Sequence, residues 1–351
     1  MHNLQLTDDQ TLVLDTVIKF VQDVVAPSAQ ERDEHRHFAR DEFAGLADLG
    51  LFALPVAAEK GGAGMGLLPL AAVCEEIGAH SGSLARLLTS QVQCAAALAS
   101  VDAEALEAVM AGTKLAAWVG LEHGVVCAGG KLSGKAELVP AAGEAAVLVV
   151  AARDGNEVVL AVVESSTCKR TALRALGFAS AAPARVEFAG AAATIASRGA
   201  AAAAAARAAD MIAWLGSAAA CVGAGRASVA FAHKHAGERI AFGKPLLVQQ
   251  AVVRKLVESQ RGIDAARQLV YHAARVHDLG QDAERAALQA RIAAVDAAVY
   301  AADEAIQIHG GFGYVVEYHV ERHYRDSKTT EVLDGGNERG RDRLAALQFG
   351  G

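Results

Sequence analysis

The sequence predicts a multi-domain α+β protein with a helical N-terminal domain over 1–113, a small central β-sheet domain over 114–197 and a C-terminal four-helix bundle over 198–351. Three observations carry that expectation. Helical apolar spacing fills the first third, short β-branched runs divided by Gly and Pro follow Thr113, and long helical stretches rich in small residues close the chain. At 351 residues, 53% hydrophobic and 21% charged, the chain has ample apolar surface to bury, which excludes a disordered protein. A net charge of -7 argues against a nucleic-acid or anionic-membrane partner.

Each element has its own signal. Thr7-Asp8-Asp9-Gln10 is a capping box, and Leu12, Leu14, Val17, Ile18, Val21, Val24 and Val25 follow at helical spacing, so a first helix is expected from Asp8 to Ala26, ended by Pro27. Asp41-Glu42-Phe43 opens a second helix that runs to Leu49 and stops at Gly50. Further helices are expected over Leu67–Ile77, stopped by Gly78, and over Ser83–Ala111, stopped by Gly112. Asp154-Gly155-Asn156 lies between Ala146–Ala151 and Val158–Val163 and reads as a hairpin; with Lys131–Ala136 and Ala184–Phe188 it predicts roughly four to six strands. Ala201–Ala206 reads as an exposed linker helix, and Asp210–Ala236, Val248–Leu279 and Ala283–His309 as the bundle.

Five widely spaced cysteines, without a C-x-x-C pair, read as reduced thiols mostly in the core. Met1–Gln5 shows no basic stretch leading an apolar run, and no apolar segment looks long and uniform enough to span a bilayer, so a cytoplasmic location is expected.

Two segments hold residues that packing alone does not explain. The first is Gly237–Gln250, with Arg239, Phe242-Gly243 and Gln250 between two long helices. The second runs from Ala305 to Arg343 through Gln307-Ile308-His309-Gly310-Gly311, Tyr324-Arg325-Asp326 and Leu333-Asp334-Gly335-Gly336-Asn337-Glu338. Glycines after a helix leave backbone amides open to a ligand, and Arg239 is a fixed cation suited to a pyrophosphate. Taken singly, the glycines are a helix cap and the arginine a surface pair. Together they point to a large anionic cofactor.

With Leu49–Pro55 and Glu59–Gly64, these segments resemble the acyl-CoA dehydrogenase family of flavoproteins over essentially the whole chain. The resemblance implies FAD, an acyl-CoA substrate, an electron-transfer flavoprotein as acceptor, and a homo-oligomer or a hetero-oligomer with a second chain of the same kind. It implies that Arg239, Phe242 and Gln250 reach the adenosine and pyrophosphate across a dimer interface, and that Gln307, Ile308, His309, Gly310 and Gly311 cradle the same end. Asp334 stands where the family carries its Glu base, which takes the α-proton while the β-hydride goes to flavin N5. Gly336 and Glu338 follow at flavin-contacting positions.

Several departures fall on the flavin-ring side. Asp334 is one methylene shorter than Glu, and Gly336 replaces a Thr. The loop that holds flavin and acyl-CoA is reduced to Leu121–Gly124, with the next strand's aromatic shield falling near Glu137-Leu138. The substrate-helix Asp-x-x-Arg falls at Met211–Trp214, leaving Arg207 and Asp210 about a turn away. This asymmetry resembles the paired dehydrogenases of bacterial sterol side-chain degradation. Two alternatives follow: a non-catalytic subunit that completes a partner's FAD site, or a nitroalkane-oxidase-like flavin oxidase, since that branch also uses Asp. Alanine-rich helices and 5% aromatic residues suggest a roomy acyl pocket. Arg325 and Asp326 are expected to brace the Asp334 loop. His319, Glu321 and His323 have a spacing compatible with a metal but lack a third ligand motif, and no metal is expected.

Overall fold

The computed structural model describes residues 6–101 and 103–350; the reading of Met1–Gln5 lies outside them. Helix α1 spans Asp8–Phe20 with the expected capping box, Thr7 and Gln10 bonding reciprocally. It continues through a π turn, Val21–Val25, into α2, Ala26–His35. The stop expected at Pro27 therefore does not occur. Pro27 sits in the first turn of α2, where a missing N–H costs little, and the chain ends that helix at Arg36 in the left-handed region (φ 54).

Helix α3 spans Arg40–Asp48 and α4 spans Leu67–His80. Gly78 lies inside α4 instead of ending it, because a Cβ there would stand 2.4 Å from the Ala220 carbonyl oxygen of a neighbouring helix. The single helix expected over Ser83–Ala111 is two: α5, Gly82–Ala99, capped by the Ser81 side chain, and α6, Leu106–Met110. The break follows Ser100, whose hydroxyl bonds back to the Ala96 carbonyl.

The sheet has eight strands, more than the expected four to six: β1 Ala116–Val119, β2 Val126–Ala128, β3 Lys131–Val139, β4 Val147–Asp154, β5 Glu157–Glu164, β6 Lys169–Ala172, β7 Ala184–Ala192 and β8 Thr194–Arg198. The missed strands are short, or exposed, and carry too few residues to show a period. Their order is β6-β7-β3-β2-β4-β5-β8, with β1 parallel to β4, so the sheet is mixed. The β4–β5 hairpin turns at Gly155 (φ 58), as expected.

Helix α7 runs from Gly199 to Glu238. The alanine run is not a linker: Ala202, Ala205, Ala206 and Ala209 are buried against Trp118, Val149 and Leu160 of the sheet, where only a small side chain lets helix and sheet meet closely. By length and composition α7 could cross a membrane, which corrects the sequence reading, yet 72% of that stretch is buried inside the protein, as in a core helix. A two-residue hairpin follows, β9 Ile240–Ala241 and β10 Lys244–Pro245. Then come α8, Gln250–Asp278, α9, Glu284–His309, α10, Val320–Thr330, and α11, Gly336–Phe349. Helix α4 packs directly on α7; a Cβ at Gly223 would stand 2.0 Å from the Glu75 carbonyl oxygen. All five cysteines are free, four of them buried and Cys168 half-buried.

Candidate active site

The first half of α7, the start of α9, the Leu121–Gly124 turn and the loop into α11 enclose a cavity of about 980 Å³, at the upper end of the range of small-molecule sites. Arg207, Asp210, Met211 and Trp214 recur at helical spacing and all reach its wall, so one face of α7 lines it. Glu122 from the reduced loop, Arg153 from the sheet, Arg291 from α9, and Asp334, Gly336 and Arg339 complete it.

Asp334 is delivered by a strained turn, with positive φ at Asp334 (51), Gly335 (86) and Gly336 (77). Its carboxylate is not free. Arg86 of α5 donates to both oxygens, Nη1 to Oδ2 at 2.6 Å and Nη2 to Oδ1 at 2.9 Å, and Arg291 Nη1 stands 3.6 Å from Oδ2. Arg86 is held in turn by Ser217 and Gln93, and the Arg86 and Asp334 side chains are only 4% and 6% exposed. Burial alone would push Asp334 up, but Arg86 and Arg291 outweigh it and hold the carboxyl below its ordinary value. The larger space lies in front of this pair. Behind Arg86 is a cleft of about 20 Å³ beside Thr89, Ser217 and Cys221, room for about one water.

Asp210 differs in every respect. It makes no hydrogen bond or ion pair among the described residues, and burial, then Glu122, Asp334 and Glu284, push it up to about 8 against Arg291. Glu122 is raised as well, first by burial.

The other candidate residues lie at the opposite end of the bundle. Arg239 is exposed and has no ion pair among the described residues, and Gln250 and Gln307 are exposed too. Phe242 is 98% exposed at φ 52, and with Gly243 (φ 75) it forms the hairpin turn. Gly310 and Gly311 are open, with nothing near an added Cβ. Ile308 and His309, by contrast, turn inward: Ile308 packs in a small apolar cluster, and His309 bonds the Ala305 carbonyl and stacks on His235 at 4.3 Å. Their side chains are not part of an open cradle. Gly336 lines the cavity, whereas the Glu338 side chain is 88% exposed and pairs with Arg341.

Arg325 and Asp326 do not brace the Asp334 loop. Arg325 pairs with Asp33 and Glu321, and Asp326 accepts from the Phe178 amide, which ties α10 to α2 and to the segment before β7. Arg291 performs the bracing, donating to the carbonyls of Thr330 and Leu333. Glu321 is thus taken, and His323 is buried and held neutral by burial and nearby arginines. The residues that sequence reasoning passed over are Arg86 and Arg291. Each is an arginine on the apolar stripe of a helix, in Leu84–Leu88 and Leu288–Ala294, where a charge has to have a buried partner.

A helical N-terminal part, a central mixed sheet and a C-terminal bundle, with a cavity between sheet and bundle, are the architecture of an acyl-CoA-oxidising class of oxidoreductases. Family models for the N-terminal and C-terminal domains of acyl-CoA dehydrogenase match residues 7–108 and 212–348, and the chain belongs to the acyl-CoA dehydrogenase family. Benzylmalonyl-CoA dehydrogenase of Aromatoleum aromaticum is 27% identical over 96% of this chain and 97% of its own length. Some curated relatives, such as an acyl-CoA dehydrogenase of Bacillus subtilis that is 40% identical over 39% of this chain, align over only about a third of their own length. The structure of butyryl-CoA dehydrogenase from Megasphaera elsdenii matches with a TM-score of 0.88 at 26% identity, covering 99% of both chains. That of PigA with FAD and proline matches with 0.89 at 21% identity over 99% of both, which speaks to the fold alone.

FAD is the cofactor that the sequence resemblance implies, and the PigA structure holds it. The residues offer it suitable groups: Arg239, without an ion pair among the described residues, the exposed Gln250 and Gln307 amides and bare glycine backbone at one end of the bundle, and a cavity of about 980 Å³ at the other.

Proposed function

We propose that this chain takes part in FAD-dependent α,β-dehydrogenation of an acyl-CoA thioester, passing two electrons to an electron-transfer flavoprotein. The observation that carries this reading is the cavity between sheet and bundle, walled by carboxylates and arginines in a chain of this family. Arg153 and Arg207 suit the phosphates of a CoA ligand. Bound FAD supplies the two-electron acceptor. The chain's own residues orient the thioester, exclude water and take the α-proton. Arg239, Gln250, Gln307 and the Gly310-Gly311 backbone would hold the adenosine end of a neighbouring chain's cofactor.

The Arg86–Asp334 pair favours a second reading of the same assembly, in which Asp334 takes no part in the reaction and this chain completes a partner's FAD site. The visible spectrum of the purified chain, with bound flavin counted per subunit, separates the two. Near-stoichiometric FAD that bleaches with an acyl-CoA supports dehydrogenation by this chain. A colourless protein that takes up no added FAD makes it the completing subunit.

A further inference from the structure

We propose that Asp210, and not Asp334, is the carboxylate that takes the α-proton in this chain, with Arg86 acting to hold Asp334 out of the reaction. This rests on the dehydrogenation reading above. A proton acceptor needs a lone pair that faces the substrate. Each Asp334 oxygen already accepts from Arg86, at 2.6 and 2.9 Å, with Arg291 Nη1 3.6 Å from Oδ2, so the lone pairs that remain belong to a carboxylate held as its anion by two guanidinium groups. Freeing them would leave a buried guanidinium unpaired, which is costlier than the pair itself.

Asp210 has what Asp334 lacks. It stands on α7, a rigid element, on the helical face that also presents Arg207, Met211 and Trp214 to the cavity. It has no hydrogen-bond or ion-pair partner among the described residues, so its lone pairs are available. The charged groups around it come from every wall: Glu122 from the Leu121–Gly124 turn, Asp334 from the strained loop, Glu284 and Arg291 from α9, and Arg343 from α11, the last already paired with Glu284. Arg153, Arg207 and Arg339 also line the cavity, yet burial first, and then Glu122, Asp334 and Glu284, push the carboxyl up to about 8, near the operating pH that suits a general base. Asp334, held low, is a far weaker base.

The step balances as follows. The α-C–H bond breaks and its proton goes to an Asp210 oxygen. The electron pair left behind forms the Cα=Cβ bond, and the β-hydride departs with its pair to FAD. The acyl group loses two electrons, which a bound flavin would accept, and Asp210 returns its proton to solvent through the open mouth of the cavity.

The test uses the FAD-loaded assembly with Asp210→Asn, Asp210→Glu and Asp334→Asn. Flavin bleaching in a single turnover and exchange of the acyl-CoA α-proton in D2O are followed against pH, alongside FAD content and melting temperature. Asp210→Asn should slow both processes by about 10²–10⁴-fold and abolish the rise in rate through about pH 8, with FAD still bound. Asp210→Glu should recover part of the rate and show a pH-dependent limb again, which guards against a folding defect in the amide variant. Asp334→Asn should keep that limb. The assignment is overturned if Asp334→Asn removes the limb and the exchange while Asp210→Asn keeps them. If the FAD-loaded wild type neither exchanges an α-proton nor bleaches with any acyl-CoA, the dehydrogenation reading itself falls, and the assignment with it.

Discussion

The two ends of the α7–α9 bundle spend their charges differently. At the cavity end Arg86, Arg291 and Asp334 satisfy one another inside the chain, out of solvent. At the hairpin end Arg239 has no ion pair among the described residues, Phe242 is 98% exposed, and Gly310-Gly311 carries open backbone. Asp210 and Arg239 are 29 residues apart (239 − 210) along one helix and its cap, about 43 Å at 1.5 Å per residue. No single dinucleotide bridges that span, which is why the proposed function gives the hairpin end a cofactor bound to another chain. A phenylalanine held at φ 52 costs about 1–2 kcal/mol of backbone strain, which is sensible only if its ring gains contacts outside this chain. One end is finished by its own sequence, and the other leaves a cation and an aromatic ring exposed.

The largest expected effect breaks the finished end. Arg86→Leu strands a buried carboxylate and should cost about 3–5 kcal/mol of folding stability, read by urea denaturation. Joint replacement with Asp334→Leu should recover most of that loss, since an apolar pair leaves nothing unpaired. A single-variant loss below ~1 kcal/mol would show that the pair does not hold this end together. The sign with pH follows from the depressed Asp334. Its stabilisation is full above the ordinary value of 3.8 and is lost as pH falls through the lower folded value.

The unfinished end should behave in the opposite way. Arg239→Ala and Phe242→Ala remove exposed groups, so the isolated chain should keep its stability within about 0.5 kcal/mol. Loss of a charge-assisted bond to a phosphate is worth about 1.5–3 kcal/mol, so FAD should bind the Arg239→Ala assembly at least tenfold more weakly, read by flavin fluorescence titration. Phe242→Ala should shift sedimentation toward smaller species. Unchanged FAD affinity and unchanged assembly would mean that the hairpin faces no neighbour.

The contrast between the ends also explains what the sequence made legible. The hairpin end was readable because its residues are contiguous: Arg239, Phe242-Gly243 and Gln250 fall within one turn, and Gln307–Gly311 within another. The long helices were readable from their period. The cavity end joins α5, α7, α9 and the Asp334 loop across 248 positions between Arg86 and Asp334, and no local pattern records which buried arginine meets which carboxylate. The same holds for Gly78, which looks like a helix stop and is a packing contact to Ala220 of α7. Ala202–Ala209 misled for a related reason: alanine has the same propensity exposed or buried, and only the sheet beneath it decides.

A pH dependence sharpens the cavity end by separating its two aspartates. Asp210 is pushed up to about 8 from 3.8, first by burial and then by Glu122 and Asp334. The folded chain therefore holds a proton that the unfolded chain has lost anywhere between those values, and stability falls as pH rises through that window. Asp210→Asn removes the slope. Below the ordinary value of 3.8 the variant should melt close to the wild type, the gap should open as pH rises, and above about pH 8 it should stay at its widest, with the variant melting higher by ~2–4 °C for each kcal/mol regained. Differential scanning calorimetry of the FAD-free protein at three pH values reads this directly. Parallel melting curves for wild type and variant would place Asp210 in open solvent with an ordinary carboxyl, and the two aspartates of the cavity would then differ only in whether Arg86 holds them.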